Sequence, residues 1–271
     1  MPRVVWLSDI HLDHASEAAI DSLVSDLREA NADYVLIGGD IGEASSFCGF
    51  LTMLAGSVPG HVCFVLGNHD YYRSSIEQVR LAASSVCVEG AISWLPQSSV
   101  LQLSETTALV GHGGWGDGRI GDVFKSEIYL NDYRLIDELR SVATPGCMTE
   151  ELVLKLNQLG NEAAAFLTQQ AAAAFENADH VIVLTHVPPW REACWYQGRI
   201  SDDNWAPHFT CKAVGDALVG VMESVGVDKR MTVLCGHSHG GGVAQIRPNL
   251  EARTAEAEYG QPGICEIIEV S

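Results

Sequence analysis

The side chains best suited to chemistry in this sequence follow five short apolar runs. They are Asp9 and His11; Asp40; Asn68, His69 and Asp70; His186; and His237 and His239. Oxygen and nitrogen donors of this kind bind divalent transition metals, and no cysteine thiolate belongs to the set. Five of the ten histidines stand in these positions. Since scattered structural histidines have no reason to collect there, the pattern predicts a metal site with proton-transfer groups.

Each motif taken alone has an ordinary structural explanation. Asp9 could accept hydrogen bonds in a turn, and Asn68 could be a turn residue. Asp40 and Asp70 could cap the helices that follow them. His69 has no equally good local role. The prediction of a metal site therefore depends on the joint occurrence of the motifs.

The apolar runs predict buried strands, separated by amphipathic helices. Strands are predicted at 4–7, 34–37, 62–66, 181–184 and 232–235. Helices are predicted at 16–30, about 43–55, about 71–83, 149–178 and 214–225, with Gly160 and Asn161 as a candidate interruption of the fourth. Strand–helix–strand order implies parallel pairs with right-handed crossovers. The carboxyl ends of such strands share one sheet edge, where α/β proteins bind ligands.

Further elements complete the predicted fold. If strand geometry continues past residue 7, Asp9 and His11 point to the same side, because strand side chains alternate with a period of two. Residues 92–110 contain short β-rich pieces that predict an antiparallel section, and 264–270 predict a closing strand. With no linker or low-complexity segment, residues 1–271 are expected to form one domain.

Two segments are candidates for the walls of a pocket. Residues 111–119 are rich in glycine without a phosphate-binding pattern, and residues 191–209 are aromatic and irregular. Long loops beside a functional strand end often contact substrate. The candidate substrate-binding residues are His112, Trp115, Arg119, Trp190, Arg191, Trp195 and His208. A structural role for His112, and a packed surface loop at 191–209, remain the alternatives.

Composition excludes several classes of function. The chain has 16 Lys and Arg against 35 Asp and Glu, a formal charge of −19, so neither nucleic acid nor an anionic membrane is an expected partner. An acidic protein that binds an anionic substrate needs a local positive centre, which metal cations can supply. The eight cysteines form no CxxC pair, and no signal peptide or long apolar run is visible. We expect a reduced, cytoplasmic protein.

The motifs Asp-x-His, Gly-Asp, Gly-Asn-His-Asp, a strand-end His and Gly-His-x-His occur in that order within residues 4–242. In this the sequence resembles the calcineurin-like metallophosphoesterases. The resemblance implies an α/β fold, an αββα four-layer sandwich of two mixed β-sheets flanked by helices. It also implies two metal ions of the Mn, Fe or Zn type.

The resemblance further implies a role for each residue. One metal would take Asp9, His11, Asp40 and His239; the other would take Asn68, His186 and His237 and share Asp40 as a bridge. His69 would lie close to the phosphate without binding metal, and Asp70 would orient its ring.

The charges agree with this assignment. Two divalent ions outweigh two carboxylates and a hydroxide, so the centre stays positive and attracts an oxyanion. Metals about 4 Å apart can activate a shared water, and the resulting bridging hydroxide would attack phosphorus in line. His69 would stabilise charge or protonate the leaving oxygen.

The expected substrate is a small-molecule phosphate ester. A phosphodiester is slightly favoured, because a monoester dianion usually needs extra cationic side chains. The only plausible sources are Arg73, Arg119, Arg191 and Arg199. The alternatives are a phosphomonoesterase acting on protein or small molecules, and a non-catalytic metal-binding scaffold. Metal-dependent hydrolysis of an amide or lactam would normally need a barrel of eight βα units, which the sequence lacks.

Overall fold

The computed structural model describes all 271 residues, and the chain forms thirteen strands and eight α-helices. The strands are β1 (Arg3–Leu7), β2 (Tyr34–Ile37), β3 (His61–Phe64), β4 (Ile92–Trp94), β5 (Leu101–Gln102), β6 (Thr107–Gly111), β7 (His180–Leu184), β8 (Trp195–Tyr196), β9 (Arg199–Ile200), β10 (Arg230–Cys235), β11 (Gly242–Arg247), β12 (Leu250–Thr254) and β13 (Glu266–Glu269). The helices are α1 (Glu17–Ala30), α2 (Phe47–Ser57), α3 (Ile76–Val86), α4 (Asp132–Leu135), α5 (Asp137–Arg140), α6 (Glu150–Phe175), α7 (Ala206–Phe209) and α8 (Lys212–Ser224).

Two mixed sheets lie at the centre of the fold. The first has the order β13-β1-β2-β3-β4, and only β13 runs antiparallel to its neighbour. The second has the order β11-β12-β10-β7-β6-β5, with antiparallel strands β11 and β5 at its edges. A short β8–β9 hairpin stands apart. The predicted αββα sandwich of two mixed sheets flanked by helices is confirmed.

The parallel strands are apolar throughout because both faces of each sheet are covered. In β1, Val4 and Trp6 belong to the hydrophobic cluster between the sheets, whereas Val5 and Leu7 pack under the helices of the outer layer. Strand β7 alternates in the same way between the inter-sheet cluster and the cluster under α6 and α8. Period-two alternation therefore builds both layers of core from one apolar run.

The segment after residue 86 differs from the expected antiparallel section. Strand β4 runs parallel to β3, with Val62 opposite Ile92, and β6 runs parallel to β7. Only the β5–β6 pair is antiparallel. Here the chain crosses from the first sheet to the second, and the sequence contains no signal for which neighbour each short strand will find.

Helix α3 begins later than predicted. A 3₁₀ turn at His69–Tyr71 follows β3, and α3 starts at Ile76 after Ser75, whose hydroxyl accepts the Gln78 amide at 3.1 Å. Asp70 is therefore not a helix cap, because its carboxylate is occupied elsewhere. Helix α6 runs without interruption through Gly160, where a Cβ would lie 2.8 Å from Cβ of Asp117. This glycine allows a close approach rather than a break.

Two further observations bear on the environment of the protein. None of the helices combines the length and the apolar character needed to cross a bilayer. All eight cysteines are free thiols, and Cys63, Cys194, Cys211 and Cys235 are buried. The expectations of a cytoplasmic location and of one domain over residues 1–271 stay predictions.

Replacing the cap of the longest helix is expected to lower stability. The Thr149 hydroxyl accepts the Leu152 amide at 3.2 Å and begins α6, so Thr149→Ala should reduce the free energy of unfolding by about 1 kcal/mol in urea. The control is Thr168→Ala, on the exposed face of the same helix, expected to change stability by less than about 0.5 kcal/mol. Equal losses in the two variants would contradict the capping role.

Candidate metal centre

Side chains from the carboxyl ends of five strands meet where the two sheets come together. Strands β1, β2 and β3 of the first sheet are followed by Asp9 and His11, by Asp40, and by Asn68 and His69. Strands β7 and β10 of the second sheet are followed by His186 and by His237 and His239. Oxygen or nitrogen atoms of Asp9, His11, Asp40 and His239 all lie within 4.8 Å of one another.

The backbone at these positions is strained. Eight non-glycine residues have positive φ, and five of them are predicted metal ligands: Asp9 (52°), His11 (37°), Asp40 (51°), His237 (68°) and His239 (58°). Left-handed backbone at non-glycine residues costs of order 1–3 kcal/mol each and clusters at functional sites. Strain concentrated on this one set of side chains therefore points to a function that needs them together.

This backbone also corrects the expectation that strand geometry continues to His11. Strand β1 ends at Leu7, and the amides of Asp9 and His11 donate to the carbonyls of Gly39 (3.1 Å) and Asp40 (2.9 Å). The two side chains converge through a left-handed turn that is tied to the loop after β2. The prediction that the two side chains lie together is therefore correct, but its reason, continued strand geometry, is wrong.

Glycine at two strand ends permits this close approach. A Cβ on Gly67 would overlap Oδ1 of Asp40, and a Cβ on Gly236 would overlap Oδ2 of Asp9. The glycines that begin Gly-Asn-His-Asp and Gly-His-x-His therefore leave room for the two carboxylates.

Three distances between nitrogen and oxygen atoms of the first group, Asp9, His11, Asp40 and His239, are short. The Nε2 atoms of His11 and His239 are 3.2 Å apart. Nε2 of His11 lies 3.6 Å from Oδ2 of Asp40, and Nε2 of His239 lies 3.4 Å from Oδ1 of Asp9. Two imidazoles and two carboxylates thus converge from β1, β2 and β10.

The second group lies on the other side of Asp40. Nδ1 of His186 donates to the Gly38 carbonyl at 2.9 Å, so its Nε2 carries a lone pair. That lone pair faces Oδ1 of Asn68 at 3.0 Å and Oδ1 of Asp40 at 3.4 Å.

His237 joins this group from β10. Its ring lies 5.0 Å from that of His186, centre to centre. Its Nε2 donates to the His208 carbonyl at 3.2 Å, which leaves Nδ1 as the lone-pair atom.

The pKa shifts leave these imidazoles neutral. Burial lowers the pKa of His11 to about 2 and that of His237 to about 3, and it also lowers the pKa of His186. Burial raises the pKa of Asp9, but the nearby imidazoles, His186 foremost, together lower it by more than burial raises it. The net shift is downward. Burial and adjacent carboxylates hold the pKa of Asp40 well above its usual value.

A metal fits this arrangement of donors. Imidazole nitrogens, an amide oxygen and carboxylate oxygens converge at separations of about 3.0–3.6 Å, with no cationic side chain between them. Buried electron-pair donors that face one another repel unless a proton or a metal cation lies between them. The nitrogen and oxygen set suits Mn, Fe or Zn.

His69 lies beside these groups. Its backbone amide donates to Oδ1 of Asp40 at 2.8 Å. Its ring lies 4.6 Å from that of His11 and 4.2 Å from that of Tyr72, and its Nε2 is 3.4 Å from the Tyr259 hydroxyl. Burial lowers its pKa to about 3. The ring therefore borders both the donor groups and the open cavity.

Asp70 differs from its expected role, since it makes no hydrogen bond to the His69 ring. Its two carboxylate oxygens accept four backbone amides at 2.8–3.1 Å, from Asp40, Ile41, Gly42 and Gly67. Burial raises its pKa to about 7, partly offset by these amides. Asp70 thus joins the loops after β2 and β3, and it acts on the backbone that carries the donors.

A cavity of about 290 Å³ opens onto the donor groups. Its aromatic lining residues are Tyr72, Tyr196, Phe209 and Tyr259, and no Lys or Arg lines it. Tyr196 and Phe209 belong to the predicted loop at 191–209. Tyr259 was not identified from the sequence, because its loop after β12 carries no strand-end signal. Its ring lies 4.4 Å from that of His11 and 5.1 Å from that of His239.

The seven candidate substrate-binding side chains lie outside the lining of this cavity. His112 and Trp115 line a separate cavity of about 190 Å³ beside α3 and α6. Arg119 pairs with Asp117 at 2.8 Å. The glycine-rich loop at 111–119 therefore has a packing role, in which the Gly113 carbonyl accepts the His186 amide at 3.0 Å.

The remaining candidates come from the second loop. Arg191 pairs with Asp203, and Trp190 packs against the outer core of the second sheet. Trp195 packs on the glycine run at 240–242. The His208 ring is held by the Tyr133 hydroxyl (2.6 Å) and by Ser126 (2.8 Å), and this residue reaches the site only through its carbonyl.

The chain was compared with known proteins. A model of the family described as calcineurin-like phosphoesterase matches residues 2–241. The structure is similar to phosphopantetheinyl hydrolase from Mycobacterium tuberculosis, with a TM-score of 0.66, 12% identity, and coverage of 96% of this chain and 90% of that one. It is similar to a dimetal phosphatase from Danio rerio, with a TM-score of 0.56, 14% identity, and coverage of 94% and 88%.

At such low identities these likenesses establish the fold alone. Among curated proteins, none matches this sequence. The family model, however, spans nearly the whole chain and includes every strand end described above. The protein therefore belongs to the calcineurin-like phosphoesterase family.

Proposed function

We propose that this protein hydrolyses small-molecule phosphate esters at a centre of two metal ions. One observation carries the proposal: two groups of lone-pair donors face inward on either side of a single carboxylate. Oδ2 of Asp40 lies 3.6 Å from Nε2 of His11, and its Oδ1 lies 3.4 Å from Nε2 of His186. Each oxygen of Asp40 thus serves one group, as a bridging ligand would.

The ligands divide between two sites. Asp9, His11, Asp40 and His239 would hold one ion, and Asn68, His186 and His237 would hold the other with Asp40 shared. When bound, two such cations lower the pKa of a shared water and hold phosphate oxygens. Burial lowers the pKa of His11, His186 and His237, which favours binding because metal ligation requires the unprotonated imidazole.

The protein itself contributes orientation and hydrogen bonding. Asp70 holds the loops after β2 and β3 together through four backbone amides, so Asp40 and Asn68 keep a fixed separation. His69 borders the cavity, where its neutral ring would donate a hydrogen bond to the negative charge that develops on the ester oxygens. No side chain needs to act as the nucleophile.

The lining of the cavity favours a phosphodiester. Of the arginines that could have met a second phosphate charge, Arg73 pairs with Glu43, Arg119 with Asp117 and Arg191 with Asp203, and Arg199 does not line the cavity. A diester carries one negative charge where a monoester carries two. The walls formed by Tyr259, Tyr196 and Phe209 offer apolar contact to an organic substituent instead.

Removal of the shared carboxylate tests the metal assignment. Asp40→Asn should lose metal from both groups and abolish hydrolysis, because a neutral amide cannot bridge two cations. Metal content after Mn loading and gel filtration is measured by mass spectrometry, with circular dichroism to check folding. Asp26→Asn, an exposed carboxylate on α1, is the control. Full metal content with unchanged turnover in Asp40→Asn would refute the assignment.

Removal of His69 tests the role in catalysis. His69→Ala should keep two metal ions per chain and lower kcat by roughly 10²–10³-fold, the usual cost of removing one hydrogen-bond donor to the developing charge. His61→Ala, at the opposite end of β3, should leave kcat unchanged. If His69→Ala loses metal, His69 is a ligand and the proposed role is wrong.

A pair of model substrates tests the ester class. With Mn-loaded enzyme, we expect kcat/KM for a nitrophenyl phosphodiester to exceed that for nitrophenyl phosphate by about tenfold, equivalent to about 1.4 kcal/mol. A preference for the monoester would support a phosphomonoesterase instead. Hydrolysis of neither, at full metal content, would favour a metal-binding scaffold.

A further inference from the structure

The wall of the metal cavity contains a buried carboxylate that is not among the predicted ligands. Asp132 is the first residue of α4, 64 positions along the chain from Asn68, and only 3% of its surface is exposed. Burial raises its pKa, and no cationic side chain contacts it. A carboxylate in such a place is costly unless its hydrogen bonds serve a purpose.

Those hydrogen bonds link Asp132 to Asn68 and Tyr72. The Asn68 Nδ2 atom has two hydrogens, and it donates to Oδ1 of Asp132 at 2.9 Å and to the Tyr72 hydroxyl at 3.2 Å. The Tyr72 hydroxyl in turn donates to Oδ1 of Asp132 at 2.7 Å. Every side-chain donor in this triangle therefore has an acceptor.

The triangle determines which way the Asn68 carboxamide faces. The two ends of a carboxamide have nearly the same shape, so only hydrogen bonding decides between them. A carboxylate can only accept, and it therefore draws the Nδ2 end toward itself. Oδ1 is then turned to the opposite side, where it faces Nε2 of His186 at 3.0 Å.

We propose that Asp132, assisted by Tyr72, is a positioning residue that turns the Asn68 oxygen toward the second metal ion. This inference rests on the proposed function, because it takes Asn68 as a ligand. Without a group at residue 132 that can only accept, the amide could rotate and present its NH₂ group to the cation. The second metal site, which has Asn68, His186 and His237 besides the shared Asp40, would then lose one of its donors.

The backbone around Asp132 is built to hold this position. The Arg73 amide donates to the Leu135 carbonyl at 2.8 Å, and the Asp137 amide donates to the Ser74 carbonyl at 3.0 Å. The end of α4 is thereby fastened to the residues that follow the Asn68–Tyr72 turn. Asp132 and its two partners consequently belong to one rigid unit, although they are distant in sequence.

The test uses stepwise Mn²⁺ titration of the metal-free protein by calorimetry. Asp132→Asn keeps the shape of the side chain but can present either an oxygen or an NH₂ group to Asn68, so it no longer enforces one orientation. Affinity at the second site should fall by about 10–100-fold with little change at the first, as is usual for partners of metal ligands. Tyr72→Phe, which removes one of the two acceptors, should show a smaller loss. The control is Asp26→Asn, the exposed carboxylate on α1, which should bind Mn²⁺ like the wild type.

A merely structural role predicts a different outcome. It would lower the melting temperature of the metal-free protein and weaken both sites alike, and this result would overturn the proposal. So would wild-type affinity at the second site in both Asp132→Asn and Tyr72→Phe. If Asp132→Asn does not fold, the Tyr72→Phe titration decides.

Two further variants separate this inference from the proposed function. Asn68→Ala must weaken the second site; if it binds two ions like the wild type, the ligand assignment itself has failed. If Asn68→Ala weakens the site and Asp132→Asn does not, only the positioning role has failed. The double variant Asn68→Asp, Asp132→Asn exchanges the carboxamide and the carboxylate, so that residue 132 donates the hydrogen bond and residue 68 accepts it. It should recover part of the second-site affinity that Asp132→Asn loses.

Discussion

Mutual repulsion among buried electron-pair donors is the constraint on which the rest of this structure depends. Imidazole nitrogens, an amide oxygen and two carboxylates face one another at 3.0–3.6 Å, with no Lys or Arg lining the cavity beside them. Metal cations make such a convergence favourable, and they also provide the positive potential that an acidic chain of net charge −19 otherwise lacks. Metal binding and attraction of a phosphate ester therefore have the same physical origin.

The fold meets this constraint by fixing the backbone of the loops that carry the donors, and this fixed backbone is locally strained. Five donors sit in left-handed backbone, and the glycines at 67 and 236 leave space for the carboxylates of Asp40 and Asp9. Asp70 holds two loops through four amides, and Asp132 orients the Asn68 amide through the Tyr72 triangle. These two buried acids bind no predicted metal, yet they keep the donors in place, which is how rigid sites retain strained geometry.

Prediction succeeded where local pattern and global topology agree. The strands that precede Asp9, Asp40 and Asn68 are continuous apolar runs, and parallel pairing brings their ends to one edge by rule. It failed where the decisive contact is non-local. Arg119 and Arg191 stand in loops near the strand ends, but each is neutralised by a carboxylate, Asp117 or Asp203, that no spacing rule connects to a pocket. Tyr259 enters the cavity from a loop with no pattern at all.

The sequence alone determined the apolar strands, the order of the strand-end donors and their chemical type, because periodicity and residue identity are local properties. The two-sheet sandwich was implied only by the resemblance of these motifs to a known family. Tertiary structure decided which side chains line the cavity, that Asp70 serves backbone amides rather than the His69 ring, and that Asp132 contacts Asn68 across 64 residues. Such contacts depend on how separate segments pack in three dimensions. A hydrogen bond between distant loops produces no periodic pattern in the amino-acid sequence, so it cannot be predicted from residue spacing.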